Sequence, residues 1–489
     1  MNTPSSIRYA AISLAIAASL VGCSSVRPPS AISHASAAIG APERLYNERT
    51  QEGSEQPRPV APDDWWRSFR DKQLDTLVDE AEMANRSLSA NLAAVQEARA
   101  LAGERRWDAS PRGGVALGAS RQRLAGPEVD PFGGDVRGPT RELAQMDLSA
   151  TWELDLFGRI GTRRAIAERG IDLANADLHA SRALVHAETV AAWARWRGST
   201  IQLRLLDEEI ATAEHAVSLQ QQRINAGIDD PRLIQRPAVW LAERRVERAN
   251  VRASQAVARS ALAVLRGRVP SADHLPEPVD PDLPAAPLLT AWASIDGILQ
   301  RRPDVARADA LFRQSIGAKA IADRAFLPEI RVDFGGGVVQ RPGDLDLASA
   351  GRWATAGVVQ WNPIDWGRLR AQASASSARS DLAYAALEST MLEAIKDAED
   401  RIEEARAADA SVEQALTTAG RARRVQEATR ARHEAGLEGR LALAEAKLMA
   451  WELDRVLIDA KAASIQAYAR AHLALATWQD QREETTLGR

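Results

Sequence analysis

Side chains able to do chemistry are few in this sequence and far apart. His179 and His186 lie seven residues apart, with Glu188 close by, in a stretch without proline. Histidines that grip one metal ion from a single helix sit three or four apart, so that both imidazoles reach it. Seven puts them on one face but two turns apart, and His215 is further along still. These histidines read as ordinary residues of a packed or solvated helix. There is no GxSxG, no HExxH and no phosphate-cradling glycine loop; FGGGVV (334–339) falls in an alternating segment, where glycine eases strand curvature. One Cys and seven His leave no zinc-type site. No residues stand ready for an enzyme such as a cell-wall hydrolase, and no cofactor is implied.

The lone thiol, Cys23, is different. Residues 1–23, MNTPSSIRYAAISLAIAASLVGC, carry Arg8 and then a short apolar run. That run is too short to span a membrane and predicts a signal peptide over 1–22. LVGC has the form of a bacterial lipobox, in which Cys23 is lipidated and becomes the mature N-terminus. A cysteine could follow a signal core by chance, but small residues precede it and a Ser/Pro-rich stretch follows. Ser24, rather than Asp, fits sorting to an outer membrane. Acyl chains anchor a protein and do not make it span.

The rest of the chain must be a scaffold. It has 489 residues and a formal charge of −4 with both signs interspersed, which gives no basic footprint for nucleic acid. Aromatics are 5%, while Ala, Arg, Glu and Leu abound, a composition of long, closely packed helices.

The sequence repeats itself. WELDLFGR (152–159) returns as WNPIDWGR (361–368), 209 residues later. Arg223 and Gly227 recur as Arg432 and Gly436 at the same offset, and 85–111 aligns on 302–328 at an offset of 217. One unit is used twice, so the fold is read per unit. The expected organisation is a tether over 23–62, a first repeat over 63–268, a Pro-rich linker over 269–287, a second repeat over 288–480 and a tail over 481–489.

Within each unit, alternating steps of three and four from Leu178 to Ile224, and from Met391 to Ala419, meet mostly apolar or small residues, a coiled-coil seam. A helix over about 162–223 would be about 90 Å long. Gly227 and Gly436 each stop such a rod, making a helical hairpin with its tip there. Shorter helices are expected over about 72–108 and 303–326.

Between short helix and hairpin the period changes to two. In 142–154, Ala144, Met146, Leu148, Ala150, Trp152 and Leu154 alternate with polar residues. The same alternation runs through 328–341 and 351–361 and, more weakly, through 112–123. Trp353 and Trp361 fall on one face, about 26 Å apart. Strands with one oily and one wet face suit a barrel wall with Trp152, Trp353 and Trp361 as aromatic belts. Four strands cannot close a usable lumen; three chains supply twelve, with twelve long helices below. The fold expected is therefore mainly α with a transmembrane β segment. A lipid-anchored coiled-coil spacer or adaptor would share the lipobox and the rods but lack such strands.

WWRSFRD (65–71), WELDLFGR, QRRPDVARADA (300–310), AFLPEI and the RxxxG tips resemble the TolC-like outer-membrane efflux channels, and the lipobox resembles their NodT-type lipoproteins. The resemblance covers nearly all of the mature chain. It implies a homotrimer, with a twelve-stranded barrel in the outer membrane continuing into a twelve-helix periplasmic tunnel. It further implies docking to a periplasmic adaptor and an inner-membrane pump of RND type. Gly158-Arg159 and Gly367-Arg368 would turn each strand into its long helix. Arg223, Gly227, Arg432 and Gly436 would form the tips that meet the adaptor. In such channels carboxylates beyond the tip ring the gate; Glu445, nine residues past Gly436, matches one such position, and Ala442 leaves a second ring in doubt.

Overall fold

The structure is a computed structural model that describes residues 31–42, 45, 64–123, 125, 140–276, 282–287, 294–341 and 350–476. The signal segment 1–22, Cys23 and the tail 481–489 lie outside the described residues.

Polar caps decide where the short helices begin. Trp65–Phe69 is a 3₁₀ turn that ends at Arg70 in the left-handed region. Asp71 then accepts from the N–H groups of Gln73 and Leu74 and starts α2 (Lys72–Ala84). Asn85, in extended backbone, ends α2 and caps α3 (Arg86–Arg106) with its own carboxamide. The single helix expected over 72–108 is thus two, because one Asn serves as stop and start. In the second unit, Ser294 caps α6 (Ile295–Arg301), and Pro303 opens α7 (Pro303–Arg324) at the position proline tolerates.

The rods are α4 (Arg159–Asn225) with α5 (Gln235–Leu265), and α8 (Trp366–Glu434) with α9 (Arg440–Ala474). At 67 residues α4 is about 100 Å long. No position of its seam from Leu178 to Ile224 is exposed. The second seam departs once: Leu416 is 56% exposed and Ala415 is buried in its place. A straight helix drifts about 20° per heptad against a 3.5 repeat, and the buried stripe slips back one residue.

Two cores clamp the rods at mid-length. In one, Trp65, Trp66 and Phe69 meet Trp193 and Trp196 of α4, Tyr468 of α9 and Leu283 of the Pro-rich linker. The imidazole of His472 stacks on Trp65 at 4.8 Å, and burial pushes it down to about 3, so the ring is neutral there. His186 lies against Trp66, 3.4 Å from Glu82. In the other core α6, α7 and α8 pack on Ala35 of α1 (Ala31–Ala38). Part of the supposed extended tether is therefore a short helix whose buried Ala and Ser side chains let it lie close on α8.

The strands β1 (Arg112–Arg123), β2 (Thr140–Leu154), β3 (Glu329–Gln340) and β4 (Gly351–Gln360) form one antiparallel sheet in that order. Trp361 lies one residue beyond β4.

Candidate functional site

Register makes the sheet two-faced. Val115 pairs with Leu148, Leu148 with Gly336, and Gly336 with Trp353, so one row across all four strands carries apolar side chains or glycine. The next outward rows add Leu117, Met146, Val338, Ala150, Phe334 and Thr355. The opposite face carries Arg112, Asp147, Glu153, Glu329, Arg331, Asp333 and Arg352. In the single chain the apolar face is largely exposed, although water is the wrong solvent for it. Among the described residues, β1 and β4 each have a neighbour on one side only.

On the polar face Arg352 of β4 reaches across β3 to Asp147 of β2, with Nη2 to Oδ1 at 2.6 Å. The residue between them is Gly337, where an added Cβ would run into the Met146 carbonyl and Asp147 Oδ1. Gly337 is the gap through which the ion pair is made. Gly337→Val is expected to displace that pair and destabilise the sheet by roughly 1–3 kcal/mol, the usual penalty of overpacking. Heat stability of the folded protein in detergent checks this; an unchanged midpoint would mean the pair has no such constraint.

Sheet and rods meet at a braced junction. Gly158 has φ +70° and Arg159 begins α4, held between Glu153 of β2 and Glu329 of β3. Asp155 accepts from the N–H groups of Ile160 and Gly161. The second unit does not copy this turn. Gly367 and Arg368 are already inside α8, and the chain turns earlier, through the 3₁₀ turn Pro363–Asp365. Proline at the first position fixes φ for that turn, so Gly367 is not needed there. Arg368 binds Asp365 at 2.8 Å. The two tryptophans before the junction do correspond: the indole N–H of Trp152 donates to the Ala109 carbonyl and that of Trp361 to the Phe326 carbonyl, both at 3.0 Å. These bonds preserve the offsets of 209 and 217 in three dimensions.

At the far end the two tips are near copies. Gly227 and Gly436 both have φ +71°, and the N–H groups of Ile228 and Leu437 return to the carbonyls of Arg223 and Arg432. This is a left-handed glycine stop that satisfies the last helical carbonyls. Arg223 forks onto Asp229 at 2.6 and 2.9 Å, and its guanidinium holds that carboxyl below the usual range. Arg432 binds Glu438 at 3.1 Å in the matching place. Asp229 thus ties the turn instead of capping the returning helix, while Asp230 caps the 3₁₀ turn Pro231–Ile234. Ile228 and Leu437 are 63% and 68% exposed, an aliphatic pair that sequence reading passed over. Each directly follows its tip glycine, and that shared place was the available signal. Glu445 is exposed on α9.

Between tips and cores lies a buried ion cluster. Arg455 donates to Glu209 at 2.6 Å and to Glu247; Gln202 donates to Asp459 nearby. Burial raises both Glu209 and Asp459.

Comparison with known proteins agrees with this geometry. A family model described as outer membrane efflux protein matches residues 77–268 and 294–477. Outer membrane protein OprJ of Pseudomonas aeruginosa is 28% identical over 400 residues, covering 81% of this chain and 82% of its own. The toluene efflux pump outer membrane protein TtgF of Pseudomonas putida is 26% identical over 397 residues, covering 80% of each. Among solved structures, the outer-membrane channel OprN superposes with a TM-score of 0.78 at 22% identity, covering 90% of this chain and 98% of that one.

Proposed function

This chain belongs to the outer membrane efflux protein family, and from that premise we propose how it works. It is the outer-membrane channel component of a tripartite efflux system, a passive exit duct for small molecules pumped from the inner membrane or periplasm. Three copies close a twelve-stranded barrel whose apolar face meets lipid and whose polar face lines water. The rods of the three chains form a tunnel of twelve helices that carries the duct into the periplasm. The observation that carries this reading is the register, which collects the apolar residues of four strands on one exposed face. Trp152, Trp353 and Trp361 form the aromatic belts, where amphipathic rings suit the headgroup level.

Cys23 carries the lipid anchor in the outer membrane. The tips at Arg223, Gly227, Arg432 and Gly436 meet a periplasmic adaptor, which couples the duct to an inner-membrane pump of RND type. Gly158 and Arg159 make the passage from barrel to tunnel in the first repeat, and the Pro363–Asp365 turn, tied to Arg368, makes it in the second. Glu445 lines the gate, where three like charges near one axis recruit cations.

Planar-bilayer recording tests the duct and its gate together. The purified protein is expected to conduct ions in long-lived steps, and Glu445→Ala to raise the unitary conductance. Bilayers that stay silent for both proteins would overturn the channel reading. Equal conductance would remove Glu445 from the gate.

A further inference from the structure

The repeat sets depths on the apolar face of the sheet. Adding 217 to β1 and 209 to β2 turns the pair Arg112–Thr151 into Glu329–Gln360, an observed pair of β3 with β4. The same step carries Trp152 onto Trp361, and Ala119–Ala144 onto Gly336–Trp353. Strands that share a register and join rods at the same end stand at matching depths in one barrel wall. Trp353, in the belt far from the rods, therefore has Ala144 as its counterpart, with Ala119 beside it. At that depth the first unit has a gap in the belt.

Beyond the gap the outward face changes character. Arg121 and Glu142 are the next outward pair, with Arg121 Nε 3.0 Å from Glu142 Oε1, and Arg123 with Thr140 is the pair after it. All four are exposed. Their counterparts in the second unit are Val338, Gly351 and Gln340, none of them charged. On the rod side of the gap come Leu117 with Met146, then Val115 with Leu148. Val115 and Leu148 open onto a cleft of about 610 Å³, with Phe334 and Trp353 as its far walls and backbone at Gly335 and Gly336 as its floor. From Ala119 to Val115 is four residues, about 13 Å along the strand. One outward track thus runs from charge, over two methyl groups, to an open apolar cleft.

We propose that this track holds a phosphorylated glycolipid of the outer leaflet. Its depth fits, because the arginines stand just outside an aromatic belt, where head groups lie. The rim also selects the head. Two guanidiniums suit a phosphate, to which arginine donates from a planar fork. Glu142 fixes Arg121 and, with Thr140, offers acceptors to sugar hydroxyls. A head with phosphate alone would leave that carboxylate facing an anion. The acyl chains lie over Ala119 and Ala144, where a tryptophan would block them, and one reaches the cleft. The second unit has its tryptophan in the way and no cation above it, so each chain holds one such lipid.

The inference rests on the apolar face being the lipid face, and the test separates the two. Full-length protein in detergent is stripped of lipid and titrated with lipid A, an acylated glucosamine disaccharide bearing phosphates, while native mass spectrometry counts what is retained. Wild type is expected to retain one per chain. Arg121→Gln with Arg123→Gln should weaken retention about thirtyfold, the loss expected of two arginines at an anionic lipid surface. Ala144→Trp, which copies the belt of the second unit, should weaken it with both arginines intact, and so should removing the phosphates from the probe. Equal retention by the arginine variant, by Ala144→Trp or of the phosphate-free probe would overturn the site. Tighter retention of phosphatidylglycerol would overturn the glycolipid and make the occupant a phospholipid. Heat-modifiable gel mobility is read on the same samples. Folded barrels that retain no lipid overturn the site alone, whereas a protein that never forms them sinks the lipid-face reading.

Discussion

Arg455→Ala is expected to destabilise the rods by roughly 3–5 kcal/mol at neutral pH, the penalty for leaving a buried charge without its partner. Glu209 is fully buried, its Oε1 accepts from Arg455, and its Oε2 has no hydrogen-bond partner among the described residues. Remove the guanidinium and the carboxylate must stay ionised without its main support or take up a proton. Burial already raises Glu209 despite Arg455. A raised folded value means that this group's contribution to stability is full in acid and fades as pH rises through that value. The variant raises it further, so its deficit should shrink on acidification. Glu209→Gln, which needs no counter-ion, should recover much of the loss in the double variant. Denaturation midpoints in detergent at acidic and neutral pH would decide; a neutral-pH loss under about 0.5 kcal/mol would show that the cluster is not a linchpin.

A charge on one face of the sheet should do far more damage than the same charge on the other. Leu148→Lys puts an ammonium on the apolar face, where a cation at the membrane midplane costs about 2–4 kcal/mol per chain. With three copies in one barrel the penalty is about threefold, and folded, heat-modifiable protein should vanish from the outer membrane. Ser149→Lys, one residue along, points to the polar face at a level shared with Gly114, Gly335 and Ala354. That variant should assemble and alter only passage, shifting the channel towards anions. Gel mobility with and without heating reads assembly. Equal tolerance of both substitutions would mean that the faces are not lipid and lumen.

Much of this was legible because the periods are physical. Two-residue alternation located β2 and β3 to within two residues, since a strand with different solvents on its faces must alternate. The seam of α4 was readable for the same reason. What escaped depends on partners far away in sequence. Glu209 and Arg455 are 246 residues apart, and each alone is an ordinary helical charge. The turn at Pro363–Asp365 was hidden by a repeat phrase whose residues match while its backbone does not. Helix α1 is eight residues of Ala, Ser, Ile and His, too short and weakly patterned to announce itself against a Ser/Pro-rich background. At the tips the glycines and arginines were plain, but Asp229 and Glu438 as their ties required the folded turn.

Imaging of single particles of the purified protein in detergent tests the central claim most directly. The account predicts a hollow tube with threefold symmetry, on the order of 140 Å long, from about 100 Å of helix and about 40 Å of tilted strand. A thin rod with no barrel, or a compact monomer, would contradict it, and the channel would fall with the barrel.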